Sequence, residues 1–531
     1  MIAHSPPIGS RPDRVGAQVG SPGAPSGTLL LGVSGARQNA SIAAVIDGRL
    51  AAFCEQERVT RIRSVALEPG VLPQAALSAV LTRVRRSTVD ITTFATAESG
   101  AVLPDGVVQR QIEHHRAHAA VAAFTSSFDA GVVLVCDEHS EPPMTVWRFQ
   151  GGELRPQPWP WKGAGFASLY SECTALFGFP ARSEHRLEAL ARIEGDGSFR
   201  DQLATTIRYD TEGLRLDPGW RGKITAMLGG CRSPQQTTGA ASVASSLQCV
   251  IGDALVALVA DIHKRYPAEN LCLAGGLFYN TYLNTRIVES GAFRRVFVPA
   301  NPGNAGLAAG APLALAAEMR PVAAVPADPF LGPEFGPDVI KATLDNCKLT
   351  YDYLGDQEVV DVAVKALLRG ELVGWFQGAM EWGPRSLGNR SILANPFAPY
   401  VLENLNAFLK QREPYRAYGL SVCVEDAPKY FTVPAPSAFM ELEYAPHEAA
   451  MFRHAMPEGV KRLRVQTIGD QPPLFRALHR AFGEATGSGV LVNTSFNGFH
   501  EPMVCSPRDA IRVFYGGGLD IAVLGGFVLR K

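Results

Sequence analysis

The stretch Gly374-Trp375-Phe376-Gln377-Gly378-Ala379-Met380-Glu381-Trp382-Gly383-Pro384-Arg385-Ser386-Leu387-Gly388-Asn389-Arg390-Ser391 decides how this chain is read. Its opening residues complete an apolar run from Leu372 to Phe376, which predicts a buried strand. The strand enters a turn rich in glycine and polar groups that carries Arg385, Asn389 and Arg390. Two more polar clusters follow strand or helix signals in the same C-terminal third. They are Lys410-Gln411-Arg412-Glu413-Pro414-Tyr415-Arg416 and Leu491-Val492-Asn493-Thr494-Ser495-Phe496-Asn497. This set suits an anionic ligand rich in hydrogen-bonding groups. Guanidinium forks bind phosphate or carboxylate through paired bonds, and lysine adds a point charge.

Outward from that stretch, helical patterns (Val359–Leu368, Leu402–Lys410, Leu474–Thr486, Pro507–Tyr515) alternate with strands (Val373–Phe376, Val490–Asn493, Ile521–Leu524). Alternation predicts α/β layers. Residues Pro321 to Pro337, crowded with proline, read as a linker. Before it, Leu29–Val33, Ser41–Ile46 and Leu50–Cys54 read as strands, the last two joined by the hairpin signal Asp47-Gly48. Gly131–Cys136 and Asn270–Leu273 read as further strands, and Gln111–Phe124, His185–Ile193, Ala240–His263 and Ala305–Ala317 as helices. No internal repeat is visible. The first 27 residues, rich in Pro, Gly and Ser, read as a disordered tail.

At 531 residues the chain is long enough for two or three domains. A net charge of −1 gives no global field for nucleic acid or membrane. No apolar run reads as long enough to span a bilayer. Nine scattered cysteines without a Cys-x-x-Cys pair suit a reducing compartment, so a cytoplasmic protein is expected.

The motifs Gly383-Pro384-Arg385-Ser386-Leu387-Gly388-Asn389-Arg390, Lys410 to Tyr418 and Leu491 to Asn497 resemble the C-terminal, YrdC-like half of the nodulation-type and antibiotic O-carbamoyltransferases. The resemblance implies an actin-like (ASKHA) carbamoyl-transfer domain over residues 28–325, then a YrdC-like domain over 326–531. It also implies the chemistry. Carbamoyl phosphate and ATP give carbamoyl-adenylate and pyrophosphate, and the carbamoyl group then passes to a small-molecule acceptor. By motif matching, Arg385, Asn389, Lys410, Arg412, Arg416, Arg464, Ser495 and Asn497 contact nucleotide, phosphate or carbamoyl oxygens. Gly275 and Gly276, with Asn280, resemble the second phosphate turn of an actin-like domain.

His114 and His118 lie four apart, which places both imidazoles on one helix face. Asp137, at the mouth of the next strand, is a candidate third ligand. Taken alone, the pattern is more commonly a pair of surface histidines and a strand-end aspartate. In the resembled family, shared here with the tRNA threonylcarbamoyl-adenosine enzymes, such a pair and two aspartates hold a divalent metal, usually iron. The position of the second aspartate is Asn304, a neutral oxygen donor, which predicts a weak or differently occupied site.

Other departures cluster nearby. The family's His-Asp pair after the first strand is Gln38-Asn39, which takes no proton at neutral pH. Asp137-Glu138-His139-Ser140-Glu141 and His185-Arg186-Leu187-Glu188-Ala189-Leu190-Ala191 are altered, and Tyr418-Gly419-Leu420 replaces Phe-Ala-Pro. Two readings follow. One is a transferase whose acceptor is a hydroxyl or a more nucleophilic amine, with His139 or His115 as a substitute base. The other is a degenerate nucleotide-binding paralogue that supports a partner enzyme. The lack of a basic stripe disfavours a tRNA substrate. The oligomeric state is not legible.

Overall fold

Strand β1 (Leu29–Ser34) is buried along its whole length. In the computed structural model, which describes residues 27–91, 93–98, 108–138, 140–193, 195–229 and 237–531, it centres a five-stranded sheet. Its partners are β2 (Ser41–Ile46), β3 (Arg49–Glu55), β4 (Thr93–Thr96) and β5 (Gln109–Gln111), in the order β3-β2-β1-β4-β5. β1, β2 and β3 run antiparallel, whereas β1, β4 and β5 run parallel. The Asp47-Gly48 hairpin joins β2 to β3 as expected, both residues having positive φ (51° and 80°). The predicted tail, apart from Gly27, and His139 lie outside the described residues.

A second five-stranded sheet repeats this plan. It contains β6 (Ala130–Cys136), β7 (Met144–Gln150) and β8 (Glu153–Gln157), and, beyond a separate hairpin of β9 (Ile207–Asp210) and β10 (Gly213–Leu216), β11 (Asn270–Ala274) and β12 (Arg295–Phe297). Read as β8-β7-β6-β11-β12, it has the order and directions of the first sheet. This duplicated sheet is the actin-like arrangement expected. The sequence shows no repeat because a buried strand requires only apolar residues, not particular ones.

The helices used below are α1 (His114–Phe124), α2 (Glu184–Ala191), α3 (Thr237–Arg265), α4 (Thr281–Glu289) and α5 (Leu307–Met319). α1 packs on the second sheet, α5 on the first, and the two pack on each other, filling the space between the sheets with small side chains. Contact is close enough that a Cβ on Gly32 of β1 would lie 1.8 Å from Ala308 O of α5. α1 begins at His114 and not at Gln111, because 109–111 pairs as β5 with β4. α3 corrects the expectation that no run is long enough to cross a membrane. Gly239–Arg265 is long and apolar enough by length and composition, but Leu247, Ile251, Leu255, Leu258 and Ile262 are buried in a core cluster.

Residues 321–336, expected as a linker, carry no helix or strand yet are packed. Val322 and Leu331 are buried. Val325 N donates to Phe124 O (3.1 Å), Phe53 N to Leu331 O (3.0 Å) and Gly332 N to Met380 O (2.8 Å). The segment is a strap across both halves.

The rest of the chain surrounds one ten-stranded mixed sheet. Its strands are β13 (Asp352–Tyr353), β14 (Val373–Phe376), β15 (Arg390–Ala394), β16 (Gly419–Cys423), β17 (Phe431–Thr432), β18 (Leu442–Pro446), β19 (Leu463–Ile468), β20 (Leu491–Ser495), β21 (Ile521–Leu524) and β22 (Phe527–Arg530), in the order β13-β22-β21-β14-β15-β20-β16-β19-β18-β17. Helices α6 (Asp356–Leu368), α7 (Pro473–Thr486) and α8 (Pro507–Gly516) accompany it, and Asn404–Lys410 forms a π-helix. The turn between β14 and β15 closes around Glu381. Its Oε1 accepts from the backbone N–H of Leu387, Asn389 and Arg390 (2.8, 2.9 and 3.0 Å).

Candidate active site

Glu113 caps α1, accepting from the backbone N–H of His115 and Arg116 (2.8 and 2.6 Å). This cap sets His114 in the first turn, with His118 one turn later. His114 Nε2 lies 3.1 Å from Asp137 Oδ2, and His118 Nε2 lies 3.8 Å from Asp137 Oδ1. One donor atom from each of the three residues falls within 4.8 Å of the others. Asn304, in the turn before α5, brings its Oδ1 to 3.2 Å from His118 Nε2. Two imidazoles, one carboxylate and one amide oxygen therefore converge, a donor set that fits a divalent ion. Burial pushes the His118 imidazole down to about 3, so it is neutral, as a ligand must be. Burial also opposes charge on His114, but Asp137 outweighs it and holds that imidazole above its ordinary value.

His115 is not a free base. Its Nδ1 lies 2.8 Å from Thr145 Oγ1 and its Nε2 2.5 Å from Ser140 Oγ, and burial pushes it down to about 4. The turn that carries Gln38 and Asn39 holds a carboxylate that sequence reasoning missed. Glu98 Oε2 accepts from Gly35 N (2.7 Å) and Ala36 N (2.5 Å). No motif signal marks Glu98, because its role depends on β4 lying beside β1.

The cationic residues gather where the two halves meet. Arg385 Nη2 donates to Tyr279 O (2.9 Å) across the junction. Arg412 lies over the Tyr418 ring, 3.7 Å from its centroid, and Arg416 pairs with Glu413 (3.5 Å). Arg464 pairs with Glu443 through the β18–β19 backbone, but its guanidinium makes no side-chain hydrogen bond or salt bridge among the described residues. Burial, then Arg385 and Arg192, push its guanidinium well below the usual arginine value. His185 is exposed, and desolvation, then the charge of Arg416, lowers its imidazole below the ordinary value.

Three of the expected ligand residues make bonds within the protein. Lys410 Nζ is spent on Ser495 O (2.6 Å), Asn497 O (2.9 Å) and Asn497 Oδ1 (2.5 Å), so all three of its donors are taken. It staples the Ser495–Asn497 turn. Asn389 Nδ2 donates to Ala379 O (2.7 Å) inside the Glu381 turn. Asn280 caps α4 through Leu283 N (3.2 Å) and donates to Gln248 Oε1 (3.1 Å). Asn497 in turn accepts from Ser495 Oγ (2.8 Å) and donates to Glu501 O (2.6 Å).

α2 and α4 hold the halves together. Arg192 Nε donates to Glu443 Oε1 (2.7 Å) and its Nη2 pairs with Glu188, while Thr281 N and Oγ1 donate to Glu188 Oε1 (3.0 and 2.8 Å). Burial works against a charged Glu188, but Arg192, Arg464 and Arg385 outweigh it and hold the carboxyl below its usual range. The two clusters are joined by the short turn Gly276–Tyr279. At one end a Cβ on Gly276 would meet only Asp137 Oδ1, at 3.9 Å, and at the other Tyr279 O accepts from Arg385. Gly275, at φ 101°, permits the approach, since a Cβ there would lie 1.9 Å from Cys136 O.

Two family models match this chain. Carbamoyltransferase N-terminus covers residues 104–313, and Carbamoyltransferase C-terminus covers residues 364–531. An uncharacterized protein of Synechocystis is 33% identical over 474 residues, spanning 79% of this chain and 76% of that one. Nodulation protein NolO of Bradyrhizobium diazoefficiens is 30% identical over 441 residues, 79% of each chain. The 3'-hydroxymethylcephem-O-carbamoyltransferase of Amycolatopsis lactamdurans is 31% identical over 256 residues, 48% of each chain.

Proposed function

Because this chain belongs to the carbamoyltransferase family, we propose that it forms carbamoyl-adenylate from carbamoyl phosphate and ATP and passes the carbamoyl group to a small-molecule acceptor. The observation that carries this reading is Arg464, a recessed cation whose guanidinium makes no side-chain hydrogen bond or salt bridge among the described residues and feels Arg385 and Arg192 more strongly than Glu188. A recess with surplus positive charge suits two polyanions that must approach each other.

In the first step water releases the phosphoryl group of carbamoyl phosphate as orthophosphate. The carbamate oxygen attacks the α-phosphorus of ATP, and pyrophosphate leaves. Arg385, Arg416 and Arg464 offset the repulsion and the charge on the phosphoryl oxygens. In the second step the acceptor attacks the carbamoyl carbon, its proton passes to a base or to solvent, and AMP leaves. We assign activation to residues 326–531 and transfer to 28–325, with Gly276–Tyr279 as the connection. A divalent ion held by His114, His118, Asp137 and Asn304 would supply Lewis-acid stabilisation of an anionic oxygen. Glu98 holds the turn just before the absent His-Asp pair, through Gly35 N and Ala36 N, and we assign it to orienting the acceptor.

The test is mass spectrometry of the purified protein with ATP and carbamoyl phosphate, then with hydroxyl and amine acceptors. Carbamoyl-adenylate, orthophosphate and pyrophosphate are the expected products of the first step. Their absence removes the reading. Adenylate formed without transfer to any acceptor favours the degenerate paralogue, for which the replacement of His-Asp by Gln38-Asn39 speaks.

A further inference from the structure

Three segments distant in sequence close around one small cavity at the junction of the halves. Glu55, at the end of β3, and Arg58, in the helical turn Gln56–Thr60 after it, line one side. Gly332 of the strap lines a second, and Glu381 of the turn after β14 a third. All four are buried. The cavity has a volume of about 10 Å³, room for one water-sized species. Glu381 is 3% exposed, and its Oε1 is turned to the backbone N–H groups of Leu387, Asn389 and Arg390. Its Oε2 has no hydrogen-bond partner among the described residues. A buried carboxylate oxygen left in this state is costly and points to a ligand that the chain itself does not supply.

The surrounding charge is negative by one. Glu55, Glu57 and Glu381 are buried carboxylates, and they share two buried guanidinium groups, Arg58 and Arg390. Arg58 Nε donates to Glu55 Oε2 (2.7 Å), and its Nη1 lies 3.6 Å from Glu57 Oε1. Arg390 feels Glu381 as its strongest charge but does not line the cavity. Its Nη groups donate to backbone carbonyls, among them Asn389 O (2.9 Å) and Gly378 O (3.1 Å). Burial outweighs Arg58 and holds the Glu55 carboxyl above its ordinary range, so that guanidinium alone does not settle the charge. The same residues close a ring of bonds through both halves. Arg58 Nη2 donates to Gly383 O (3.3 Å), and Asn301 Nδ2 donates to Glu55 Oε1 (3.4 Å). Tyr279 OH donates to Asn301 Oδ1, and Tyr279 O accepts from Arg385, two residues after Gly383. We propose that the cavity holds one dehydrated monovalent cation of potassium size, bound by Glu381 Oε2 and the Glu55 carboxylate, which fastens the two halves and steadies Arg385 through the ring. One positive charge matches the surplus. A cavity for one water-sized species leaves no room for the waters that a magnesium ion keeps, whereas protein oxygens readily replace the hydration shell of potassium.

The test is thermal melting of the wild-type protein in potassium, sodium and choline chloride at equal ionic strength. Potassium is expected to raise the midpoint by about 2 °C over choline, and sodium by less. Glu381→Gln keeps the oxygen that the turn uses and removes the charge. Its midpoint is expected to be the same in all three salts, and no lower in choline than that of wild type. Wild-type crystals grown in rubidium chloride need no variant, and they are expected to show an anomalous-scattering peak between Glu55 and Glu381. Equal wild-type midpoints in potassium and choline overturn the site, as does a cavity that holds water or nothing in the rubidium crystals. A potassium effect that survives Glu381→Gln overturns Glu381 as its ligand, and sodium matching potassium overturns the size assignment. The part played by Arg385 rests on the activity proposed above. Carbamoyl-phosphate-dependent ATP–pyrophosphate exchange is expected to be about ten-fold slower in choline than in potassium, and an equal rate overturns the link to Arg385. If no salt supports exchange, the proposed activity fails, and melting and scattering still decide the site.

Discussion

Arg464 and Lys410 show how little a residue type says about its role. Both are cations in motifs that point to phosphate, yet Lys410 is spent on three oxygens of the 495–497 turn while the Arg464 guanidinium makes no side-chain hydrogen bond or salt bridge among the described residues. Arg464→Ala should therefore lower carbamoyl-phosphate-dependent pyrophosphate exchange by about 10²-fold or more with little change in the urea midpoint. Exchange at the wild-type rate would take Arg464 out of the mechanism. Asn304 poses a separate question at the same scale. Its neutral oxygen meets His118 where a carboxylate would bind a divalent ion more tightly. Asn304→Asp is expected to retain more metal than wild type after mild chelation, as measured by elemental analysis. Stoichiometric metal in chelated wild type would show that the amide is no weakness.

Among the elements, α7 and β16 carry a buried switch in stability. His479 Nδ1 of α7 donates to Phe475 O (2.9 Å), which leaves its neutral Nε2 to accept from Ser421 Oγ of β16 (2.9 Å). Burial pushes its imidazole down to about 4, and the two hydrogen bonds only partly offset this. The folded pKa is below the unfolded value of about 6.5, so the unfolded chain binds the proton first. The stabilisation is full above pH 6.5 and is lost as pH falls towards 4, by about 2 kcal/mol at pH 5. His479→Gln should abolish this contribution, so urea midpoints at pH 7 and pH 5 should differ less in the variant. An equal difference in both proteins would show that other groups govern acid sensitivity in that range. The cationic recess has an element of its own in α2, whose Glu188, with Arg192 at the helix's C-cap, reaches α4 and β18. The run from His185 to Ala191 stood out in the sequence as altered, but Glu188 meets Thr281 93 residues away and Arg186 meets Glu413 227 residues away, and no local pattern shows them.

At the scale of the molecule, the strap over 321–336 makes the two halves one packed body. Its backbone bonds to Gly152, Phe124, Thr125, Phe53 and Met380 should slow cleavage there by a broad-specificity protease, compared with an unstructured proline-rich linker. Rapid cutting between Val322 and Leu331 in the native protein would contradict the packing. The sequence alone determined the α/β class and the strands Val373–Phe376 and Ile521–Leu524, because apolar periodicity is a local property; the convergence of His114, His118 and Asp137 was expected from the family resemblance. The sequence also carried that resemblance, because three polar motifs keep their order along the chain. Only the tertiary structure decided that the sheet plan is duplicated, that a proline-rich segment is a strap, that Lys410 bonds the 495–497 turn, that Glu98 holds the Gly35–Ala36 turn and that Arg192 bonds Glu443. Those facts depend on which distant atoms satisfy each polar group. A buried donor takes whatever acceptor the fold brings to it, and local sequence does not encode that choice.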